Sequence, residues 1–238
     1  MVVCLCATRN MYPQLWTLIS FLLDSQPINK IYAFVEDDFN SDQFKEVRFI
    51  NLSNFAPLKE NKINNGAQWT YMTMARIYFP QLLPEEDRVI YLDLDLVIQG
   101  DLLPLWELDL EGKEIAGVAD SHLHEHNTPY ITDPASYINA GVLVMDLAKI
   151  RENKTMEKMD KILHTIPLMF FDQDCISMTC SIKLIDAKWN SGFSTIYADN
   201  PIIRHPVLCK PWNPASRWFT WWVSRYLQLG APFSRFDS

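Results

Sequence analysis

The sequence predicts an α/β domain in which helices flank a mostly parallel sheet, and three observations carry that reading. Strand-like and helix-like segments alternate from the first residues onward. A chain of 238 residues, 48% hydrophobic and 13% aromatic, can bury one substantial core. No Pro-, Gly- or Ser-rich linker divides it, so residues 1–238 read as a single domain, with 212–238 as an aromatic and basic C-terminal tail.

Residues 2–7 form an apolar strand. Asn10 then caps a helix whose Tyr12, Leu15, Trp16, Ile19, Leu22 and Leu23 share one face. Residues 30–35 are a second strand and 46–50 a weaker third. A polar loop leads to a helix over 68–79 that Pro80 stops. Trp69, Tyr71, Met72, Met74, Ala75, Ile77 and Tyr78 leave that helix almost no polar face, so it is buried. Arg76 lies among them, and a buried guanidinium needs a carboxylate or phosphate partner. A structural salt bridge and a role at a site are both open.

Residues 88–92 and 96–99 are short strands on either side of Asp93-Leu94-Asp95, with a turn at Gly100-Asp101. Residues 115–119 form another strand, followed by a loop holding His122, His124 and His126. Residues 137–145 are strand-like, with Gly141 inside, and 151–164 read as a mixed-charge surface helix. The last third is loop-rich and ends in an aromatic segment over 212–226. No internal repeat is visible.

The net charge of −8 argues against nucleic acid as a partner, since phosphate-backbone affinity comes from clustered Lys and Arg. The five cysteines, Cys4, Cys6, Cys175, Cys180 and Cys209, read as reduced thiols, and Cys175 and Cys180 have the wrong spacing for a zinc knuckle. The opening strand has no positive n-region and is too short for a signal peptide. Arg217 and Arg225 interrupt the last apolar stretch before it could cross a bilayer. The expected location is cytoplasmic, with the inner face of the membrane as the alternative. That alternative rests on Arg217, Trp218, Phe219, Trp221, Trp222, Arg225 and Tyr226, a stripe that suits either a membrane surface or packing on the core.

Chemistry concentrates at Asp93 and Asp95. Residues two apart on an extended chain face one side, so both carboxylates can meet one point while Leu94 stays in the core. Hard oxygens at the end of the apolar run Val89-Ile90-Tyr91-Leu92 suit Mg2+ or Mn2+ rather than zinc, and strand carboxyl ends are where open α/β sheets bind ligands. A haloacid-dehalogenase-like phosphatase uses a similar pair, the first Asp as nucleophile, but near the N-terminus. A surface pair capping a turn is the bland alternative. His122, His124 and His126 alternate, so an extended loop could aim them at one metal or could close over a bound ligand. Asp120, just before them, is placed to touch an acceptor.

Later segments discriminate: Tyr137-Ile138-Asn139-Ala140-Gly141, Phe171-Asp172-Gln173-Asp174, and Ile203-Arg204-His205 leading to Lys210-Pro211-Trp212. In this order after the Asp pair, they resemble glycosyltransferase family 8. The resemblance implies a GT-A nucleotide-diphospho-sugar transferase domain with a Rossmann-like sheet. It implies Mn2+, with Mg2+ as the alternative, held by Asp93, Asp95 and His205 against the donor diphosphate, and Lys210 on the same phosphates. Ala7, Thr8, Asn10 and Tyr12 would receive the uridine, Tyr12 by stacking, and Arg76 would reach the donor sugar or its phosphate. Leu94 belongs to the same donor site. Asn139, Ala140 and Gly141 would line the sugar pocket, with Asp172 gripping sugar hydroxyls and Gln173 facing the reacting carbon.

The implied reaction moves galactose or glucose from a UDP-sugar to a glycan or glycolipid hydroxyl, with retention, in cell-surface glycan synthesis. Two departures stand out. Members commonly have Asp where Thr8 stands. The His205 to Lys210 segment is one residue shorter than usual and lacks its glycine, so a phosphate loop of different shape is expected, with His205 or Lys210 displaced from its usual place. A catalytically silent sugar-nucleotide-binding module is the third reading.

Overall fold

The computed structural model describes residues 1–40, 44–60, 71–121 and 136–228. In chain order they form β1 (Val2–Cys6), α1 (Tyr12–Ser25), β2 (Lys30–Val35), β3 (Val47–Asn51), α2 (Ala56–Glu60), α3 (Phe79–Leu82), β4 (Arg88–Leu92), β5 (Val97–Ile98) and α4 (Leu103–Trp106). There follow β6 (Ile115–Gly117), β7 (Val142–Asp146), α5 (Leu147–Glu152), α6 (Thr155–Thr165), α7 (Phe171–Thr179), β8 (Ile182–Leu184), β9 (Ser191–Gly192), β10 (Ile203–His205) and α8 (Phe219–Gln228).

The large sheet has the order β3-β2-β1-β4-β7-β6-β8. β3, β2, β1 and β4 run parallel, whereas β7 runs antiparallel between β4 and β6. This one reversal positions the site. Leu92 at the end of β4 pairs with Val142 at the start of β7, so the residues leaving β4 meet those entering β7. A small sheet, β5-β10-β9, hangs from the same edge, and its register of Arg204 with Val97 carries His205 back toward Asp95.

Apolar side chains cover both faces of the large sheet. Val3 and Leu5 of β1 pack with α1 on one side, while Cys4 packs with Met72, Tyr78 and Phe79 on the other. α1 is buried nearly all round, because α8 covers its outer side: Trp221 meets Phe21 at 5.5 Å between ring centroids, and Trp222 is 3% exposed. Trp212 lies 6.4 Å from Trp222. For Trp221 and Trp222, packing on the core is therefore the arrangement found. No helix among the described residues is long and apolar enough to cross a membrane.

Several elements differ from expectation for local reasons. The segment before Pro80 is a 3-10 helix over Tyr71–Tyr78, and Pro80 starts α3 rather than ending a helix. A first-turn N–H has no intrahelical partner, so proline costs nothing there. Asn10 sits in a 3-10 turn, Arg9–Met11, where its Oδ1 accepts from Thr8 Oγ1 at 2.5 Å and caps nothing. α1 starts at Tyr12 with Pro13 in its first turn.

The strand expected over 137–145 begins at Val142, with Ile138 joined to Ala119 by one bridge, and the strand expected to reach Ala119 ends at Gly117. The surface helix expected over 151–164 is split between α5 and α6 at Lys154, whose φ is 53°. Trp69, His122, His124, His126 and the side chains of Arg225 and Tyr226 lie outside what is described.

Truncating Trp222 to alanine empties a core position, and the expected cost is about 3–5 kcal/mol. Urea denaturation measures it, and an unchanged midpoint would show that α8 is not part of the core.

Candidate functional site

The carboxyl ends of β1 and β4 and the amino end of β7 share one edge, where a cavity of about 340 Å3 opens. Asp93-Leu94-Asp95 turns away from the end of β4, and Asp93 N donates to Gly141 O at 2.8 Å. Asp93, Leu94 and Asp95 all line the cavity, as do Thr8, Arg76, Asn139, Ala140, Gly141, Asp172, Gln173, His205 and Lys210.

Arg76 lies behind the carboxylates and is 2% exposed. Its Nε donates to Thr73 O at 2.9 Å and stands 3.2 Å from Asp172 Oδ2, and its Nη1 donates to Ala140 O. Nη2 reaches Tyr91 Oη at 2.6 Å and Asp93 Oδ1 at 3.1 Å. The two roles left open for this buried cation thus become one, since its salt-bridge partners are site carboxylates. Most of its donors turn to protein oxygens, so Arg76 holds Asp93 and Asp172 in place at the cavity wall. Burial pushes the Asp172 carboxyl up to about 6, outweighing the Arg76 charge, which pulls the other way.

His205 Nε2 is 3.2 Å from Asp95 Oδ1 and 3.8 Å from Asp93 Oδ2. One donor atom from each of Asp93, Asp95 and His205 lies within 4.8 Å of the others. Two carboxylate oxygens and an imidazole nitrogen so placed fit a divalent cation. Lys210 Nζ pairs with Asp95 Oδ2, so the shortened segment from 205 to 210 brings both of its cationic ends to one carboxylate. Burial alone would raise the Asp95 carboxyl, but His205 and Lys210 hold it well below the usual carboxylate range. His205 is buried, which lowers its affinity for a proton, yet Asp95 carries it above the ordinary imidazole value.

Two glycines let these groups converge. A Cβ on Gly141 would fall on His205 Cε1 and lie 2.9 Å from Asp93 Oδ2. A Cβ on Gly192 would fall on the carbonyl oxygen of His205 and force β9 from β10.

On the other side of the cavity, Gln173 Oε1 accepts from Ala140 N at 3.0 Å and its Nε2 donates to Asp120 Oδ2 at 3.1 Å. The amide is therefore fixed in one orientation. Asp174, 1% exposed, accepts from Met169 N and Phe170 N at 2.9 Å and from Tyr137 Oη at 2.7 Å. These bonds pin the start of α7, where Phe171 adopts a left-handed φ of 28°, and so aim Asp172 and Gln173 inward.

Ala7, Asn10 and Tyr12 stand apart from the cavity lining. Ala7 N donates to Phe34 O at 2.9 Å, and Asn10 is exposed. Tyr12 is 4% exposed, its ring 4.2 Å from Phe39 and its hydroxyl bonded to Asp37 Oδ1 at 2.7 Å. The stacking expected of Tyr12 is corrected accordingly: its ring is packed into the wall of the domain. Sequence reading missed Cys6, Met11 and Ser194, which line the cavity, and Asn190 and Gly192, which support His205. None of these carries a local signal, because it is the fold that brings elements distant in sequence to the cavity and to His205.

Residues 3–212 match the model of glycosyl transferase family 8. The chain is 30% identical to the probable galacturonosyltransferase-like 4 of Arabidopsis thaliana, in an alignment that covers 68% of this chain and 51% of that one. It is 27% identical to the lipopolysaccharide 1,2-glucosyltransferase of Escherichia coli over 76% of this chain and 57% of that one. The chain thus spans about half the length of these curated relatives. Among solved structures, the galactosyltransferase LgtC in complex with donor and acceptor sugar analogs superposes with a TM-score of 0.74 at 20% identity, covering 100% of this chain and 98% of that one. The fold is therefore the GT-A arrangement, as expected.

The added methyl in Gly141→Ala displaces His205 or Asp93. Divalent-cation affinity, titrated with Mn2+, is expected to fall at least about tenfold while the circular dichroism spectrum is kept. Undiminished affinity would show that the three side chains do not act as one group.

Proposed function

The chain belongs to glycosyl transferase family 8, and from that premise we propose that it moves galactose or glucose from a UDP-sugar to a hydroxyl of a glycan or glycolipid acceptor. The catalytic unit is taken to be residues 1–238 as one domain. Family membership displaces the phosphatase reading, in which Asp93 would be a nucleophile. The observation that carries the proposal is the convergence of Asp93, Asp95 and His205 within 4.8 Å, beside Lys210, at the carboxyl end of β4.

Asp93, Asp95 and His205 would hold Mn2+, or Mg2+ in its place. The cation would offset charge that builds on the diphosphate as the bond to the sugar breaks. Lys210, which Asp95 neutralises in the chain alone, is the side chain assigned to the same phosphates. Thr8 and Leu94 are assigned to the nucleoside side of the cavity, with Ala7 and Asn10 contributing the shape of the turn after β1. Asn139, Ala140 and Gly141 are assigned to the sugar, where the missing side chain of Gly141 lets the backbone approach closely.

Retention with a covalent intermediate needs a carboxylate nucleophile beneath the ring. Gln173 is an amide whose oxygen already accepts from Ala140 N, and Asp172 is drawn toward Arg76. We therefore favour attack by the acceptor hydroxyl on the face that the departing phosphate leaves, with that phosphate as base. Gln173 contributes a fixed dipole and Asp172 a charge near the sugar, and Asp172 is the fallback nucleophile. The acceptor is assigned to a neighbouring hollow of about 480 Å3 that shares His205 and Val207 with the site and presents Phe193 and Tyr197.

The test is UDP release from a panel of UDP-sugars with and without Mn2+, beside turnover of a generic phosphomonoester. UDP release that needs the cation supports the proposal; activity that survives EDTA sinks the metal assignment, and sugar-nucleotide binding without turnover supports a silent binding module. Asp95→Ala is expected to lower the transfer rate by at least about 10²-fold with the fold intact. A second expectation concerns pH. Asp172 is charged above about 6 and neutral below it, so the rate should fall about tenfold per pH unit on the acid side of that value. Asp172→Asn should abolish that limb, and an unchanged acid limb in the variant would assign it to another group.

A further inference from the structure

We propose that Asn190 is a positioning residue that sets the tautomer of His205, and with it the nitrogen that this ring turns toward the two aspartates. Asn190 is fully buried, at 0% exposed, and touches the cavity only through its neighbours. The inference rests on the metal-site reading above, but the argument for it starts from a group whose chemistry is fixed, the backbone N–H of Gly141.

That N–H donates to the side chain of Asn139 at 3.0 Å, so the Asn139 atom there is its oxygen, Oδ1. The same oxygen is approached by the Asn190 amide at 2.8 Å, and only a donor can approach it, so this end of Asn190 is Nδ2. The other end is then Oδ1, which lies 3.0 Å from His205 Nδ1. An amide oxygen donates no proton, so Nδ1 must carry one. In the chain alone Nε2 holds a second proton for Asp95 Oδ1, 3.2 Å away, with Asp93 Oδ2 at 3.8 Å; because Nδ1 keeps its own proton, it is Nε2 that would give its lone pair to a cation between the aspartates.

Four residues spread from 139 to 205 thus pass one constraint along a line of hydrogen bonds. The turn that would line the sugar pocket and the imidazole that would hold the cation are tied through Asn190. Its own backbone is anchored on both sides: Asn190 N donates to Ala187 O at 3.1 Å, and its carbonyl accepts from Thr195 Oγ1. Such outer hydrogen bonds raise the basicity of a ligating imidazole and hold its ring in the ligand plane.

Three proteins test this: the wild-type chain; N190L, which keeps the approximate volume and removes both hydrogen bonds; and N190D, which keeps an acceptor for the Nδ1 proton. Mn2+ affinity is read from the electron paramagnetic resonance of the free ion, without donor or acceptor. N190L is expected to bind Mn2+ about 10–100-fold more weakly than wild type, and N190D, which loses the donor to Asn139 but keeps the acceptor for Nδ1, to bind it more tightly than N190L. An N190L protein with wild-type affinity, or equal losses in both variants, overturns the proposal.

Should N190L fail to fold, nitrogen-15 spectra of the wild-type chain, labelled at its five histidines, decide alone. His205, assigned by its absence in H205Q, is expected to carry its proton on Nδ1 when neutral, and a proton on Nε2 overturns the proposal. A wild-type chain that takes up no Mn2+ would refute the metal-site reading, whereas the tautomer in these spectra still decides the role of Asn190.

Discussion

A guanidinium that is 2% exposed has lost nearly all of its hydration, and it stays charged only if carboxylates replace the water. Arg76 finds two of them, Asp93 after β4 and Asp172 in the first turn of α7. Those carboxylates come from opposite sides of the cavity, and neither could sit so near the other without the cation between them. The arginine therefore sets the separation between the side assigned to the cation and the side assigned to the sugar. Its bond to Ala140 O extends the same clamp to the turn before β7. Removing one partner of such a buried set leaves an uncompensated charge, which is why the arrangement is all or none.

Topology explains why these groups meet at all. A purely parallel sheet would carry the residues before β7 to the opposite edge from the end of β4. Because β7 is antiparallel, Val142 lies beside Leu92, and Asp93 is hydrogen-bonded to Gly141. The small sheet repeats the device: β10 runs antiparallel to β5, so its last residue, His205, returns to the aspartates that precede β5. Gly141 leaves room for the His205 ring beside Asp93, and Gly192 of β9 lets that strand lie against the backbone of His205.

Within this frame the charges are unevenly secured. Asp95 faces His205 and Lys210 and keeps its charge far into acid, whereas Asp172, buried beside one shared guanidinium, loses it near 6. Two carboxylates at the same sheet edge thus have different proton affinities, set by the number of cations each can reach. Such a division suits a site in which one carboxylate must bind a cation and the other must only present charge to a sugar.

What the sequence determined by itself was whatever depends on neighbours along the chain. The apolar runs of β1, β2 and β4, the same-side placement of Asp93 and Asp95, and the need of Arg76 for an acidic partner all follow from periodicity and burial, which act over a few residues. The ordered segments from Asn139 to Lys210 carried the family with them. Tertiary structure decided what depends on distant neighbours. The carboxylates that Arg76 pairs with, the wall into which the Tyr12 ring packs, and the meeting of His205 and Lys210 at Asp95 all come from contacts between elements far apart in the chain. Asn190 shows the reason most plainly: its partners Asn139 and His205 lie 51 and 15 residues away. A buried polar side chain takes its meaning from the atom it must satisfy, and only packing brings that atom to it.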